Sequence, residues 1–177
     1  MNPINPARAE QCAWRDVQNG WKLLYGDFDR LGVSVEWHDF QTERPLDWGS
    51  SFHPQSIEFC LNLQGRGAVG RKDEMRGDYV PGSSGYYSVA NQPVAASRVA
   101  HDRHRFVTLE FSRSHLQKQL AESEGDLDPQ MRAAIFPEKE TSVVSQPRLM
   151  SAQERDVVAG LTHPPVPKVA QVLWYQS

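Results

Sequence analysis

The chain alternates short apolar stretches with turn residues over its first two thirds, and it changes to helical spacing after about residue 112. From Gly32 onward, segments rich in aromatic and β-branched residues are separated by Gly, Pro and Asn, a pattern typical of an all-β sandwich or barrel. We expect strands at 33–40, 56–63, 67–71, 85–90, 94–100 and 106–111, and an edge strand at 21–25.

The predicted strand at 56–63 has a clear two-residue period. One face carries Ile57, Phe59, Leu61 and Leu63, and the other carries Glu58, Cys60 and Asn62. An acidic side chain in such a strand either faces water or points into the barrel, where it needs a partner such as Arg98 or Arg105.

Beyond residue 112 the apolar positions predict helices at 114–122, 129–135, 151–161 and 166–176. Ser151-Ala-Gln-Glu154 fits a capping box at the start of the third of these helices. A short helix is also expected at 6–18. The predicted fold class is therefore mainly β with C-terminal helices. Its parts are an N-terminal extension at 1–19, a β-barrel at 20–112 and a helical region at 113–177.

Composition excludes several classes of protein. The 177 residues are 39% hydrophobic and 23% charged, enough for one globular core. A net charge of -3 gives no general attraction to nucleic acid. No apolar run approaches the roughly 20 residues that span a bilayer, and the N-terminus lacks the apolar core of a signal peptide. We expect a cytoplasmic protein without a membrane partner. Cys12 and Cys60 lie too far apart along the chain to indicate a disulfide framework or a zinc site.

The last segment, from Pro167 to Ser177, has the apolar pattern of a helix, and no Gly, Asn or Pro follows to end it. We therefore expect the chain to be a domain cut from a longer protein.

Four runs carry a resemblance to a known family. They are Leu46-Asp-Trp-Gly-Ser-Ser-Phe-His-Pro54, Glu58-Phe-Cys-Leu-Asn-Leu-Gln-Gly65, His104-Arg-Phe-Val-Thr-Leu-Glu-Phe111, and Pro164-Pro165 ahead of Leu173-Trp-Tyr-Gln-Ser177. Over residues 20–177 the chain resembles the N-terminal sensor domain of AraC-type transcription regulators. The resemblance implies a cupin-like barrel, or double-stranded β-helix, followed by helices. It also implies a C-terminal DNA-binding domain with two helix-turn-helix motifs, absent from this chain.

The two cupin motifs are only partly present. In the first, His53, Glu58 and Gly65 fall in register, while Pro45 and Ser51 replace the leading Gly and the other His. In the second, two glycines match and the Pro, His and Asn positions are substituted. The matching glycines are Gly77 and Gly85, and the substituted positions hold Ser83, Ser88 and Gln92.

Two of the four metal positions that the family implies are therefore serines. A divalent transition metal usually keeps at least three protein ligands, and a serine hydroxyl is a poor replacement for imidazole. We expect no metal. The alternative is a site built on His53 and Glu58 and completed by further His or Glu side chains. The residues available for that role are His38, His101, His104 and Glu110.

A barrel of this size can hold one small ligand in a mostly apolar pocket with a few polar groups. The candidate pocket residues are Trp37, His53, Glu58, Tyr87 and Arg98. Most aromatic residues of a barrel pack its core, however, and a solvated face is the simpler explanation for Arg98. In a pocket, Arg98 would suit a carboxylate or phenolate of the ligand.

The C-terminal helices carry apolar residues at helical spacing. The candidate dimer-interface residues are Val157, Val158, Leu161, Leu173 and Trp174. Packing against the chain's own barrel is one explanation. The other is a homodimer, since the family's sensor domains commonly dimerise through helices after the barrel.

The resemblance therefore implies a regulatory domain that senses a small-molecule effector and dimerises, and we expect it to have neither catalytic activity nor a cofactor. DNA would be contacted only through the absent C-terminal domain. The alternatives are a stand-alone cupin metalloenzyme, of the oxygenase or isomerase type, and a dimerisation module that binds no ligand.

Overall fold

The computed structural model describes Trp14, Val17 and residues 20–71, 76–90 and 94–177. The helix expected at 6–18 lies outside these residues apart from Trp14 and Val17. Cys12 and Gln92 also lie outside the described residues.

The described part of the chain forms strands first and then mostly helices. The strands are β1 (Trp21–Asp27), β2 (Val33–Gln41), β3 (Leu46–Asp47), β4 (Ser56–Gln64), β5 (Gly67–Arg71), β6 (Arg76–Tyr79), β7 (Ser83–Ser88), β8 (Val94–Arg98), β9 (Arg103–Ser112), β10 (Val143–Val144) and β11 (Arg148–Leu149). The helices are α1 (Phe28–Leu31), α2 (Arg113–Leu120), α3 (Pro129–Ile135), α4 (Ala152–Thr162) and α5 (Gln171–Gln176). Short 3₁₀ segments occur at Gly49–Ser51, Ala121–Asp126 and Lys168–Ala170.

The strands form two antiparallel sheets. The larger sheet has the order β1-β2-β9-β4-β7-β10, with β11 also paired to β7, and the smaller has the order β3-β8-β5-β6. The central register runs through paired residues such as Glu58 with Glu110 across β4 and β9, and Glu58 with Tyr87 across β4 and β7.

Successive strands from β2 to β9 alternate between the sheets, except that β5 and β6 are neighbours in the smaller one. This winding is that of a jelly roll, or double-stranded β-helix, which is the architecture of cupins. The main core lies between the sheets. Phe40, Cys60 and Phe106 from the larger sheet share it with Val69 and Ala96 from the smaller one. The predicted fold class, a cupin-like barrel with C-terminal helices, is confirmed.

The outer face of the larger sheet is covered by the C-terminal helices. Ile57 of β4 packs in one cluster with Leu116 of α2 and Ile135 of α3. Further along the same strand, Leu61 packs in a second cluster with Val158 of α4. The apolar face of β4 is therefore its outer face, and the polar face of the strand points into the barrel.

Helix α4 is capped and tied to the barrel by one carboxylate. The Ser151 hydroxyl accepts a hydrogen bond from the Glu154 N–H, and the Glu154 carboxylate accepts one from the Ser151 N–H, so the predicted capping box forms. The same carboxylate accepts hydrogen bonds from Ser84 of β7 at 2.8 Å and from Arg148 at 2.8 and 3.0 Å. Glu154 thus joins the helix start to the sheet.

Four short strands, β3, β6, β10 and β11, were absent from the sequence prediction. They have four residues or fewer, too few for a two-residue period to stand out. Two of them lie in the predicted helical region, where they add pairing partners to β7. The last predicted helix is shorter than expected, because its first turn is a 3₁₀ segment and α5 begins at Gln171.

Candidate functional site

Three glutamates meet at a small cavity inside the barrel. Glu36 of β2, Glu58 of β4 and Glu110 of β9 are each at most 7% exposed, and all three line this cavity. The strand pairing places Glu58 directly opposite Glu110. The cavity has a volume of about 10 Å³, room for about one water molecule, and its other walls are Trp14, Trp48, Ser51 and Thr108.

Each of these carboxylates accepts a hydrogen bond from a different donor. The Trp21 indole N–H donates to Glu36 at 2.8 Å, and the Tyr87 hydroxyl donates to Glu58. Burial first, and then the neighbouring Glu58, raise the pKa of Tyr87 well above its usual value, so the phenol keeps its proton. These contacts hold the three acidic groups at fixed positions on the barrel wall.

His53 lies beside the cavity and binds Glu110 through two contacts. Its Nδ1 lies 2.8 Å from one carboxylate oxygen, and its backbone N–H donates to the other oxygen at 3.2 Å. The imidazole ring stacks on Phe28, with 4.1 Å between ring centroids. His53 is 4% exposed, so the structure places it in the wall of the barrel rather than in a solvated loop.

His38 is a buried histidine at the centre of the barrel. Its ring stacks on Phe106 at 4.1 Å, and Trp14 lies 4.4 Å away on centroid distance. The ring Nε2 lies 3.2 Å from the Thr108 hydroxyl and 3.4 Å from a Glu36 oxygen. Burial lowers the pKa of His38, and this effect exceeds the opposing influence of Glu36. The imidazole is therefore neutral at pH 7.

Arg98 is buried in the lumen, so the expectation that it lies on a solvated face was wrong. It is 1% exposed, because the alternation of β8 turns it inward together with Ala96. The guanidinium lies 3.8 Å from the centre of the Phe106 ring and donates a hydrogen bond to the Asn62 amide oxygen at 2.8 Å. Its Nε has no hydrogen-bond partner among the described residues.

Two groups that lie beside Arg98 keep their protons at pH 7. The Cys60 sulfur lies 3.5 Å from the guanidinium, and burial raises the pKa of this thiol to about 11. Burial likewise raises the pKa of Tyr79, whose ring centre lies 6.0 Å from the guanidinium carbon. The guanidinium therefore contacts an aromatic face, an amide oxygen and a protonated thiol.

Four of the five predicted pocket residues face the barrel interior or its wall, and one does not. His53, Glu58, Tyr87 and Arg98 are buried there. Trp37 lies on the opposite face of β2, where it packs in the cluster formed with α4, and its inclusion in the pocket was wrong. Its neighbours Glu36 and His38 point inward instead. Sequence reasoning did not select Glu36, because an acidic residue on a predicted strand is usually solvated.

The pairing of β7 with β4 also shows that the position aligned with the histidine of the second cupin motif, Ser88, does not face the lumen. Ser88 pairs with Ile57 on the outer face of the sheet, and its hydroxyl accepts a hydrogen bond from the Val143 N–H at 3.3 Å. Tyr87 takes the inward position instead. In the first motif, the Ser51 hydroxyl donates to the Trp48 carbonyl at 2.8 Å. Over the residues that the structure describes, no group of three or more His, Cys, Asp or Glu side chains is arranged to hold a metal ion.

The five predicted interface residues divide into two groups. Val158 is 3% exposed and Leu161 is half-buried, and both pack against the chain's own barrel. Val158 has too little exposed surface to contact a partner, so its assignment to a dimer interface is corrected, whereas that of Leu161 stays a prediction. Val157 and Leu173 are 46% and 70% exposed. Trp174 is half-buried, with its ring beside Gly160 of α4.

Helix α5 is attached to the rest of the molecule along one side. The Tyr175 hydroxyl donates to the Leu161 carbonyl at 2.6 Å, and the Tyr175 ring stacks on Tyr25 of β1 at 5.3 Å. Val172 and Leu173 lie on its exposed side. None of the described helices is both long enough and apolar enough to cross a membrane.

No protein-family model and no curated protein matches the sequence. Among solved structures, a cupin superfamily protein of Desulfitobacterium hafniense is 15% identical with a TM-score of 0.38, covering 52% of this chain and 75% of that one. The cupin domain of an XRE family transcriptional regulator from Enterobacter cloacae is 16% identical with a TM-score of 0.37, covering 51% and 93%.

ToxT from Vibrio cholerae is 9% identical with a TM-score of 0.49, and the match covers 82% of this chain and 54% of ToxT. The solved structures similar to this chain thus include cupin proteins and transcription regulators. Because the identities are this low and each of these TM-scores is below 0.5, the assignment of the fold rests on the strand order described above.

Proposed function

We propose that this chain is the ligand-sensing and dimerising domain of an AraC-type transcription regulator, acting in the cytoplasm without catalytic activity. A small molecule bound in the barrel would favour one arrangement of the barrel and the C-terminal helices. That arrangement would change how DNA-binding domains outside this chain are presented to their sites.

The observation that carries the proposal is that β4 and β9 line the lumen with one face and contact a C-terminal helix with the other. Cys60 and Thr108 face the lumen, while their neighbours Leu61 and Val107 face outward into the cluster that holds Val158 of α4. The strands that line the lumen are therefore the strands on which the C-terminal helix packs. A ligand that shifts these strands would act on the helix directly, since packed cores respond to small displacements.

The exposed apolar residues of the C-terminal helices support the dimerising role. Val157, Val172 and Leu173 are between 46% and 70% exposed, although all three belong to helices packed on the barrel. Val172 and Leu173 are neighbours on α5, and large apolar side chains exposed close together typically mark an interaction site. A second copy of the chain is the occupant that fits a regulator, because paired domains bind adjacent half-sites on DNA.

Sedimentation equilibrium of the purified chain tests this role. We expect a dimer that the double substitution Val172→Asp/Leu173→Asp converts to monomer, because two carboxylates would be buried at the interface. Leu149→Asp is the matched control, since Leu149 is 74% exposed but lies on β11. A monomeric wild-type chain at micromolar concentration would remove dimerisation from the proposal.

A further inference from the structure

Trp14 fills the centre of the barrel although it belongs to none of the barrel strands. It precedes β1 in the chain and is 4% exposed. Its ring centroid lies 4.4 Å from that of His38 and 5.5 Å from that of Trp48. Phe40 and Phe106 follow at 6.1 and 6.4 Å. The strands therefore provide an aromatic cage, and an indole from outside the strands occupies it.

The three glutamates lie at the edge of this cage. Trp14 is one wall of the cavity of about 10 Å³ that Glu36, Glu58 and Glu110 also line. The described residues that line the cavity include no Lys or Arg. The indole N–H of Trp48, a further wall residue that is 1% exposed, has no acceptor among the described residues. These walls suit a polar group of about the size of one amino group or one water molecule.

We propose that the effector site is the volume now filled by Trp14, and that its ligand is a small aromatic amine. The ring of the ligand takes the place of the Trp14 indole in the cage, and its amino group extends into the cavity toward the three carboxyl groups. The proposal rests on the sensing role given above and names the chemical class of the effector.

Charge and ring chemistry select this class over the others. An ammonium group is attracted both by the carboxyl groups and by the face of a neighbouring aromatic ring. The carboxylate of an aromatic acid would lie next to three carboxyl groups in this cavity and is disfavoured there, because Arg98, the buried cation that could attract it, is not among the residues that line the cavity. Because the ligand competes with Trp14 for one volume, the apparent affinity of the wild-type chain is reduced by the fraction of molecules with a vacant cage.

Isothermal titration calorimetry at pH 7 tests the proposal with three probes, tryptamine, indole and indole-3-acetate. The proteins are the wild-type chain, Trp14→Ala and Trp14→Ala/Glu36→Gln. We expect Trp14→Ala to bind tryptamine about tenfold more tightly than it binds indole-3-acetate. We also expect tryptamine to bind Trp14→Ala about tenfold more tightly than it binds the wild-type chain. Adding Glu36→Gln should reduce the preference for the amine while leaving the affinity for neutral indole unchanged.

Two results would overturn the proposal. Equal affinity of Trp14→Ala for tryptamine and indole-3-acetate would refute the claim that the ligand is an amine. No binding of any probe by a folded Trp14→Ala variant would remove the site. If circular dichroism shows that Trp14→Ala is unfolded, Trp14→Leu is used in its place. If Trp14→Leu is unfolded too, the test is the shift in the Tm of the wild-type chain in millimolar tryptamine. A wild-type chain that tryptamine does not stabilise then counts against the site.

These outcomes are separable from the fate of the proposed function. If the chain binds tryptamine but its gene encodes no DNA-binding domain, the proposed site stands and the proposed regulator function fails. If the gene encodes helix-turn-helix motifs but the variants bind no probe, the proposed regulator function stands and the proposed site fails.

Discussion

Replacing Glu154 should weaken the attachment of helix α4 to the barrel, because this one carboxylate makes three kinds of contact. It accepts the Ser151 N–H in the capping box, the Ser84 hydroxyl on β7 and two N–H groups of Arg148. A capping interaction contributes about 1 kcal/mol and a hydrogen bond to a charged group about 1.5 kcal/mol. The Arg148 side chain is 66% exposed, so its ion pair adds only about 0.5 kcal/mol.

Glu154→Ala should therefore lower the free energy of unfolding by about 3 kcal/mol, and Glu154→Gln by about 1 kcal/mol, because the amide retains part of the hydrogen bonding. For a domain of this size the larger change corresponds to a loss of about 6–10 °C in Tm. Urea unfolding followed by circular dichroism at pH 7 measures both changes. Glu122→Gln is the control, since Glu122 is exposed on the 3₁₀ segment Ala121–Asp126.

The dependence on pH provides an independent check. Partial burial tends to raise the pKa of Glu154, but the hydrogen bonds from Arg148, Ser151 and Ser84 outweigh it and lower the pKa to about 2 from an ordinary value of 4.5. The folded state then binds this proton less readily than the unfolded state. The stabilisation is complete above about pH 4.5 and is lost as the pH falls toward 2. The difference between wild type and Glu154→Gln should shrink over this window. A Glu154→Ala variant that loses less than about 1 kcal/mol at pH 7 would refute the reasoning.

Three further predictions concern buried side chains, and each is measured by urea unfolding. Arg98→Met should leave the buried Asn62 amide oxygen without its donor and lower the free energy of unfolding by about 1–3 kcal/mol; an unchanged free energy of unfolding would contradict this. Val158→Ala should cost about 2 kcal/mol and Val157→Ala less than about 0.5 kcal/mol, because only Val158 is buried; similar losses would mean that α4 packs differently. Burial lowers the pKa of His38, so its contribution to stability is present above about pH 6.5 and is lost as the pH falls below that value. His38→Phe should flatten the decline in stability from pH 7 to pH 5, and an unchanged decline would count against it.

The sequence predicted the strands well where the two-residue period is long, and β4 shows what the period leaves open. Its apolar and polar faces were assigned correctly, but the pattern does not say which face is inside. In a barrel whose outer face is covered by helices, both faces are buried. The outer face can then be the more apolar one, as Ile57 and Leu61 are here.

The candidate site was predicted in part for the same reason. His53, Glu58 and Tyr87 were found through the cupin motif and the aromatic content of the strands. Arg98 was included among the pocket residues although a solvated face was the simpler explanation for an arginine on a strand, and only its tertiary packing on Phe106 decides between the two. Trp14 lies before the first strand, and its place in the lumen carries no local signal in the sequence.

The central claim is that this chain is the ligand-sensing and dimerising domain of a DNA-binding regulator. The most direct measurement is specific DNA binding by the whole product of the gene, selected from fragments of the source genome, beside the 177-residue chain as control. The account predicts that the whole product retains defined sites with two adjacent half-sites, and that the 177-residue chain retains none. A whole product that retains no specific sites would contradict the account, and so would a coding sequence that stops after Ser177.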